Sequence, residues 1–120
     1  MKIIHLKNSK KQNVSTPLFT GKVTRQSPVA HIEEADISIN YVHFPRGIRN
    51  KFHSHSNGQV LIVTKGHGIV ASKKNAVKVK TGDLIWIPAG EIHRHGATPH
   101  SDFTHISVTP AHTNIHQIEK

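Results

Sequence analysis

The stretch Asn50–Val63, NKFHSHSNGQVLIV, sets two histidines two residues apart and a glutamine four residues after the second. In an extended strand, residues i and i+2 face the same side, roughly 6.5 to 7 Å apart along the chain. His53 and His55 therefore point together while Ser54 turns away. Two imidazoles placed this way can converge on one metal ion at about 2.0–2.2 Å. Gln59 opens a β-branched run that reads as the next strand, and its side-chain carbonyl can reach the same point. Downstream, PAGEIHRH offers His93 just after a tight turn. The competing reading is plain: the chain has twelve histidines and no cysteine, so an isolated His-x-His is first taken as a pair of surface residues.

Around this stretch alternation dominates and helical periodicity is nearly absent. ISINYVHF (Ile37 to Phe44) is a strand by its β-branched and aromatic content, bounded by EEAD and PRG. QVLIVTKG reads as a strand that ends in a Gly turn, and HGIVASKKNAVKVKTGD as two strands across a Lys-Lys-Asn turn. DLIWIPAGEIHRHGA gives strand, Pro-Ala-Gly turn and strand, and DFTHISVTP closes the set. Short strands at near-regular spacing with Gly/Pro punctuation predict an all-β sandwich or small barrel. An edge strand is expected around LFTGKVTRQ. The tail AHTNIHQIEK reads as an arm that packs on a neighbour or stays loose.

Length and composition bound the rest. A chain of 120 residues supports one core, hence one domain over residues 1–120, with residues 1–18 and 110–120 as peripheral arms. Its 35% apolar content comes in short runs, none near the roughly 18 residues of a membrane span. The N-terminal MKIIHLKNSKK does not read as a secretion signal, so a cytoplasmic protein is expected. Lack of cysteine excludes disulfide and thiolate chemistry. The net charge of +9 invites a nucleic-acid reading, but the basic residues are scattered and aromatics are only 5%, too few for base stacking. Solubility or anion attraction is the preferred meaning of the charge.

The spacing of these blocks resembles a known family. Gly47, five residues, His53, Ser54, His55, three residues, Gln59, six residues and Gly66 match the first cupin motif, G-x5-H-x-H-x3-E-x6-G, except that Gln59 replaces the glutamate. Gly82, five residues, Pro88, Ala89, Gly90, two residues and His93 match the second, G-x5-P-x-G-x2-H, whose usual final Asn is Ala97 here. The motif blocks are 47–66 and 82–97. The resemblance implies a jelly-roll-like cupin β-barrel. FTGKV, GQVLIVTKGHG, GDLIWIPAGEIHRHGATP and THISV further resemble small single-domain manganese-type cupins. That group includes bacterial hydroxynitrile lyases and cupins associated with carboxymuconolactone decarboxylases. It implies a ligand set of three histidines and one glutamine: His53, His55, Gln59 and His93.

Four neutral ligands leave a divalent ion's +2 charge uncancelled, which strengthens it as a Lewis acid. They do not fix the metal; the resemblance implies Mn(II), with Fe(II), Ni(II) and Zn(II) behind. Strand parity puts His95 on the face of His93, and His105 on the face of Phe103, Ser107 and Thr109. His95 and His105 are the expected catalytic bases, the alternative being that each only orients another group. Asn40, Val42 and Thr109 are the expected pocket residues, and the bulk of Asn40 argues against large aromatic substrates. Trp86 is expected in the core, and His67, His100, His112 and His116 at the surface. The expected function is a metal-dependent enzyme acting on a small oxygenated molecule, most like a hydroxynitrile-lyase-type C–C lyase. Decarboxylation, isomerisation, dioxygen chemistry and non-catalytic ligand binding are the alternatives. A homodimer paired through edge strands is expected; membrane and nucleic-acid partners are not.

Overall fold

Alternating residues become antiparallel strands throughout the computed structural model, which describes all 120 residues. The strands are β1 (Gln12–Val14), β2 (Val23–Gln26), β3 (Ile37–Phe44), β4 (His53–His55) and β5 (Gln59–Ser72). They continue with β6 (Ala76–Lys80), β7 (Leu84–Ile87), β8 (His93–Ala97), β9 (Phe103–Pro110) and β10 (Ile115–Gln117). Apart from a 3-10 turn at Leu6–Asn8 there is no helix. No helix is long and apolar enough to cross a membrane. The all-β fold expected from the strand pattern is observed, in the form of the jelly-roll-like barrel that the cupin resemblance implies.

Two sheets face each other. The first runs β1-β2-β3-β9-β5-β7 and the second β6-β5-β8-β4-β10. β5 belongs to both. Its first half pairs with β7 and β9, and its second half with β6 and β8. The Gly turn expected at Gly66 is therefore not an end but a bend inside one 14-residue strand. The register shifts between Val63 and Lys65, and Gly66 follows at φ 74°. That left-handed conformation and the Asp102 carbonyl standing where a Cβ would go restrict the position to glycine.

Between the sheets, Val14, Val23, Val42, Phe44, Val63, Val79, Ala97 and Phe103 form the apolar core. Phe44 and Phe103 are almost wholly buried, each contributing about 2–3 kcal/mol of transfer free energy. Trp86 is not among them. It stands 64% exposed on β7, because β7 is flanked on only one side and turns Leu84 and Trp86 outward. Its ring crosses Gly58, at a place where any larger side chain would collide with it.

Neither peripheral segment is loose. β1 extends the first sheet beside β2. The C-terminal tail returns as β10 along β4, with Ile115 opposite His55 and Gln117 opposite His53. Glu119 then receives both guanidinium nitrogens of Arg49, at 3.0 and 2.9 Å, and the Phe52 N–H at 2.9 Å. These contacts hold the Glu119 carboxyl down at about 2, the Arg49 bond being the largest cause. The tail thus packs on its own barrel, since β4 would otherwise offer a bare edge.

Candidate metal centre

Beyond Phe44 and Phe103 the interior changes character: nearly as many polar side chains are buried as apolar ones. The inward face of β9 shows the change in order, from Phe103 through His105 to Ser107. His53 and His55 come from β4, His93 and His95 from β8, Gln59 from the start of β5. β4 and β8 meet at the His53–His93 pair. Imidazoles at i and i+2 on two neighbouring strands therefore converge.

His53, His55 and His93 each place a ring nitrogen within 4.8 Å of the others. Their rings lie 4.9, 4.4 and 5.1 Å apart between centroids. His53 Nδ1–H donates to the Lys51 carbonyl at 2.6 Å, and His93 Nδ1–H to the Glu91 carbonyl at 2.8 Å. Each bond fixes the tautomer and leaves Nε2 as the free lone pair, the arrangement typical of metal-ligating histidines. His93 Nε2, His55 Nδ1 and Gln59 Oε1 are buried with no hydrogen-bond partner. Native interiors rarely leave such atoms orphaned.

Gln59 is oriented by its neighbour. Its Nε2 donates to Ser107 Oγ at 2.8 Å, so the amide nitrogen is spent and the bare oxygen faces away from Ser107. The unpartnered donors are all neutral. Burial pushes His53 and His55 each down to about 4, and lowers His93 as well. Neutral imidazole lone pairs and an amide oxygen suit a divalent cation, so the residues present fit the expected ligand set His53, His55, Gln59 and His93.

His95 stacks on His93 with rings 5.7 Å apart and 15° from parallel. On its other side His105 Nε2 lies 2.9 Å from His95 Nδ1. His105 itself packs against Phe44 and Phe103, at centroid distances of 5.3 and 5.5 Å. Burial is the main cause holding both neutral, with His105 down at about 3 and His95 well below its usual value. His95 is thus beside the ligand cluster, whereas His105 reaches it through His95.

The three expected pocket residues do not share one cavity. Val42 is part of the apolar core. Asn40 is half-buried, its Oδ1 accepting from Ser27 Oγ at 2.6 Å and its Nδ2 donating to Ser38 Oγ at 3.2 Å. Thr109 lines a separate cleft with Trp86 and Asn57. His67, His100, His112 and His116 are exposed, as expected.

Two contributors were given no role by the sequence. Asn50 is buried, accepts the His95 backbone N–H on Oδ1 at 2.8 Å, and places Nδ2 3.2 Å from His95 Nε2. Ser107 sits on the predicted face, but its bond to Gln59 depends on how β5 and β9 register. Gly96 lets β8 pass against Ile48 and Arg49, where a Cβ would meet backbone, and so brings Asn50 to His95.

Known proteins resemble this chain in sequence and fold. Residues 35–119 match the family model described as the AraC-like ligand binding domain. An (R)-mandelonitrile lyase from Granulicella tundricola is 36% identical over 91 residues, covering 75% of this chain and 70% of that protein. A cupin-like protein of known structure from Thermotoga maritima superposes with a TM-score of 0.84 at 30% identity, over 91% of this chain and 85% of that one. The polyketide cyclase RemF from Streptomyces resistomycificus superposes with a TM-score of 0.88 over all of this chain and 87% of that one; at 19% identity it speaks for the fold alone. With the motif spacing, the barrel and these relatives in agreement, the chain belongs to the cupin superfamily, within the family of AraC-like ligand-binding domains.

Proposed function

We propose that this protein is a metal-dependent lyase of the hydroxynitrile-lyase type, with Mn(II) held by His53, His55, Gln59 and His93. The observation that carries the reading is the convergence of three buried, neutral histidines, with the buried Gln59 oxygen left without a hydrogen-bond partner. A relative named (R)-mandelonitrile lyase at 36% identity supports the choice of reaction. When bound, a divalent ion with no anionic protein ligand supplies Lewis acidity to developing negative charge.

The chain's own residues supply the proton transfer. His95, neutral by burial, takes the proton of the cyanohydrin hydroxyl on Nε2, whose lone pair exchanges the Asn50 Nδ2 donor at 3.2 Å for the substrate hydroxyl. The O–H bonding pair becomes the second bond of the aldehyde carbonyl, and the C–CN bond breaks with its pair leaving on cyanide. The proton on His95 then returns to cyanide as hydrogen cyanide leaves. His105, 2.9 Å from His95, orients that ring and shares its charge while the proton is held. Asn50 fixes the strand that carries it.

Release of aldehyde and cyanide from small cyanohydrins, assayed with Mn(II), Fe(II) and Zn(II) loaded in turn, tests the reading; no turnover with any of them overturns it. A second reading, a non-catalytic cupin that retains a small ligand, is favoured by the family match to a ligand-binding domain. Gln59→Glu separates the two: removing one unit of net charge from the centre changes catalysis sharply, while simple ligand retention need not follow.

The chain acts in this proposal as a homodimer. The outer face of the first sheet supports it, with cross-strand rows Trp86–Val60–Val108–Ile39 and Leu84–Ile62–Ile106–Tyr41. A charge-free apolar face on a chain of net charge +9 can meet its own copy without bringing like charges together.

A further inference from the structure

At the end of β3 away from Ile37, the outer surface of the first sheet turns from apolar to cationic. A cleft of about 580 Å3 opens there, lined by Lys11, Lys22 and Lys65. Asp102 is the one carboxylate on its wall, so three ammonium groups against one carboxylate leave a net charge of +2. Neither of the chain's two ion pairs, Lys2–Glu34 and Arg49–Glu119, involves any of these groups. Apart from Asp102, no carboxylate lines the cleft to offset the three cations.

The floor of the cleft is built, not incidental. Gln26 Nε2 donates to the carbonyls of Leu6 and Ser9, at 3.2 and 3.0 Å, which turns its oxygen toward His43. That oxygen lies 2.9 Å from His43 Nε2 and can only accept, so Nε2 carries the hydrogen. Nδ1, 3.0 Å from Thr104 Oγ1, then accepts from the threonine hydroxyl. His43 is thus held neutral and in one orientation under the lysines. Its pKa is lowered first by burial and then by the positive charges of Lys11 and Lys65, which places both within electrostatic reach of the ring.

We propose that this cleft, walled by Lys11, Lys22 and Lys65 over the His43–Thr104 floor, binds the phosphoryl group of a small organic phosphate. A dianion matches the net charge of +2. Ammonium groups act as point charges around a tetrahedral oxyanion, and no guanidinium is present to grip a planar carboxylate bidentately. The hydroxyls of Thr24 and Tyr41 line the same cleft as further donors. Its volume exceeds what a bare phosphate fills and lies within the range of about 300–1,000 Å3 usual for small-molecule sites. Leu6 and Pro45 give the organic part apolar contact. The cleft is separate from the barrel interior: His43 and Thr104 point outward from β3 and β9, where Val42 and His105 point inward.

The full chain is titrated with inorganic phosphate, glycerol 2-phosphate, glutarate and chloride at matched ionic strength, following the histidine ring nitrogens by NMR. The series is run with the protein stripped of metal and again with diamagnetic Zn(II) added. The expected result is a saturable shift of the His43 signals in both states, with glycerol 2-phosphate bound more tightly than inorganic phosphate. The double variant Lys22→Gln/Lys65→Gln weakens that binding at least tenfold with unchanged melting temperature. The proposal is overturned by a shift that does not saturate or equals that of chloride. It is equally overturned by glutarate binding as tightly as the phosphates, by an unaffected double variant, or by phosphate acting on His53 and His55 instead of His43.

Discussion

Removing the Ser107 hydroxyl tests how the glutamine ligand is held. Ser107 Oγ is the recorded partner of Gln59 Nε2, at 2.8 Å, and both side chains are buried. In Ser107→Ala the amide nitrogen loses its acceptor, so nothing distinguishes the two orientations of the amide except the ion. One of them turns Nε2, which cannot coordinate, toward the other donors. Loss of one buried hydrogen bond costs about 1–3 kcal/mol, and loss of a partner that orients a metal ligand typically weakens binding by about 10–100-fold. Those figures agree, since tenfold corresponds to about 1.4 kcal/mol. The assay is competition for Mn(II) against a chelator of known affinity, with free Mn(II) read by electron paramagnetic resonance. Ser107→Thr, which keeps a hydroxyl, should retain most of the affinity. An affinity for Ser107→Ala within twofold of the unaltered protein would refute the orientation argument.

The neutral buried histidines, the clamped tail and the apolar outer face each give a further test. Without metal, stability should fall as pH drops from about 6.5 toward 4, because the unfolded chain takes up protons on histidines that stay neutral when folded. The first proton forced onto the cluster costs about 2–3 kcal/mol after allowance for solvent screening, so urea midpoints should be level above about pH 7.5 and clearly lower at pH 5; a flat profile contradicts this. Glu119→Gln weakens the clamp of the tail on Arg49 and Phe52, and should lower stability by about 1–2 kcal/mol while raising amide exchange in β10 and β4; unchanged exchange in β4 would show that the tail does not support the ligand strand. Leu84→Lys puts a charge into the apolar outer face and should convert a dimer to a monomer in sedimentation velocity; an unaltered protein that is already monomeric at high micromolar concentration removes the dimer proposal.

The elements that were legible in the sequence are those whose information is local. ISINYVHF and FTHISVTP carry their alternation in consecutive residues, and both match the observed β3 and β9. His-x-His and the Pro-Ala-Gly turn before His93 likewise place donors by parity alone. What failed depended on long-range pairing. Gly66 looks like a turn in isolation and becomes a bend because β9 and then β8 continue to pair with β5 on either side of it. The tail is polar and short, yet it is held by an edge of β4 that lies more than fifty residues away. Trp86 is large and apolar, but β7 has a neighbour on one side only and leaves it outside. Asn50 acts on His95 across 45 residues, which no spacing rule reports.

Metal content is the direct test of the central claim. The full chain, purified without chelator, is analysed for its elements together with His93→Ala and Gln59→Ala. The account predicts one divalent ion per chain in the unaltered protein, its near-complete loss in His93→Ala, which removes one of the converging nitrogens, and much weaker retention in Gln59→Ala. An unaltered chain that neither carries nor takes up a divalent ion, or a His93→Ala chain that keeps it, would contradict the assignment of these four side chains as a metal centre.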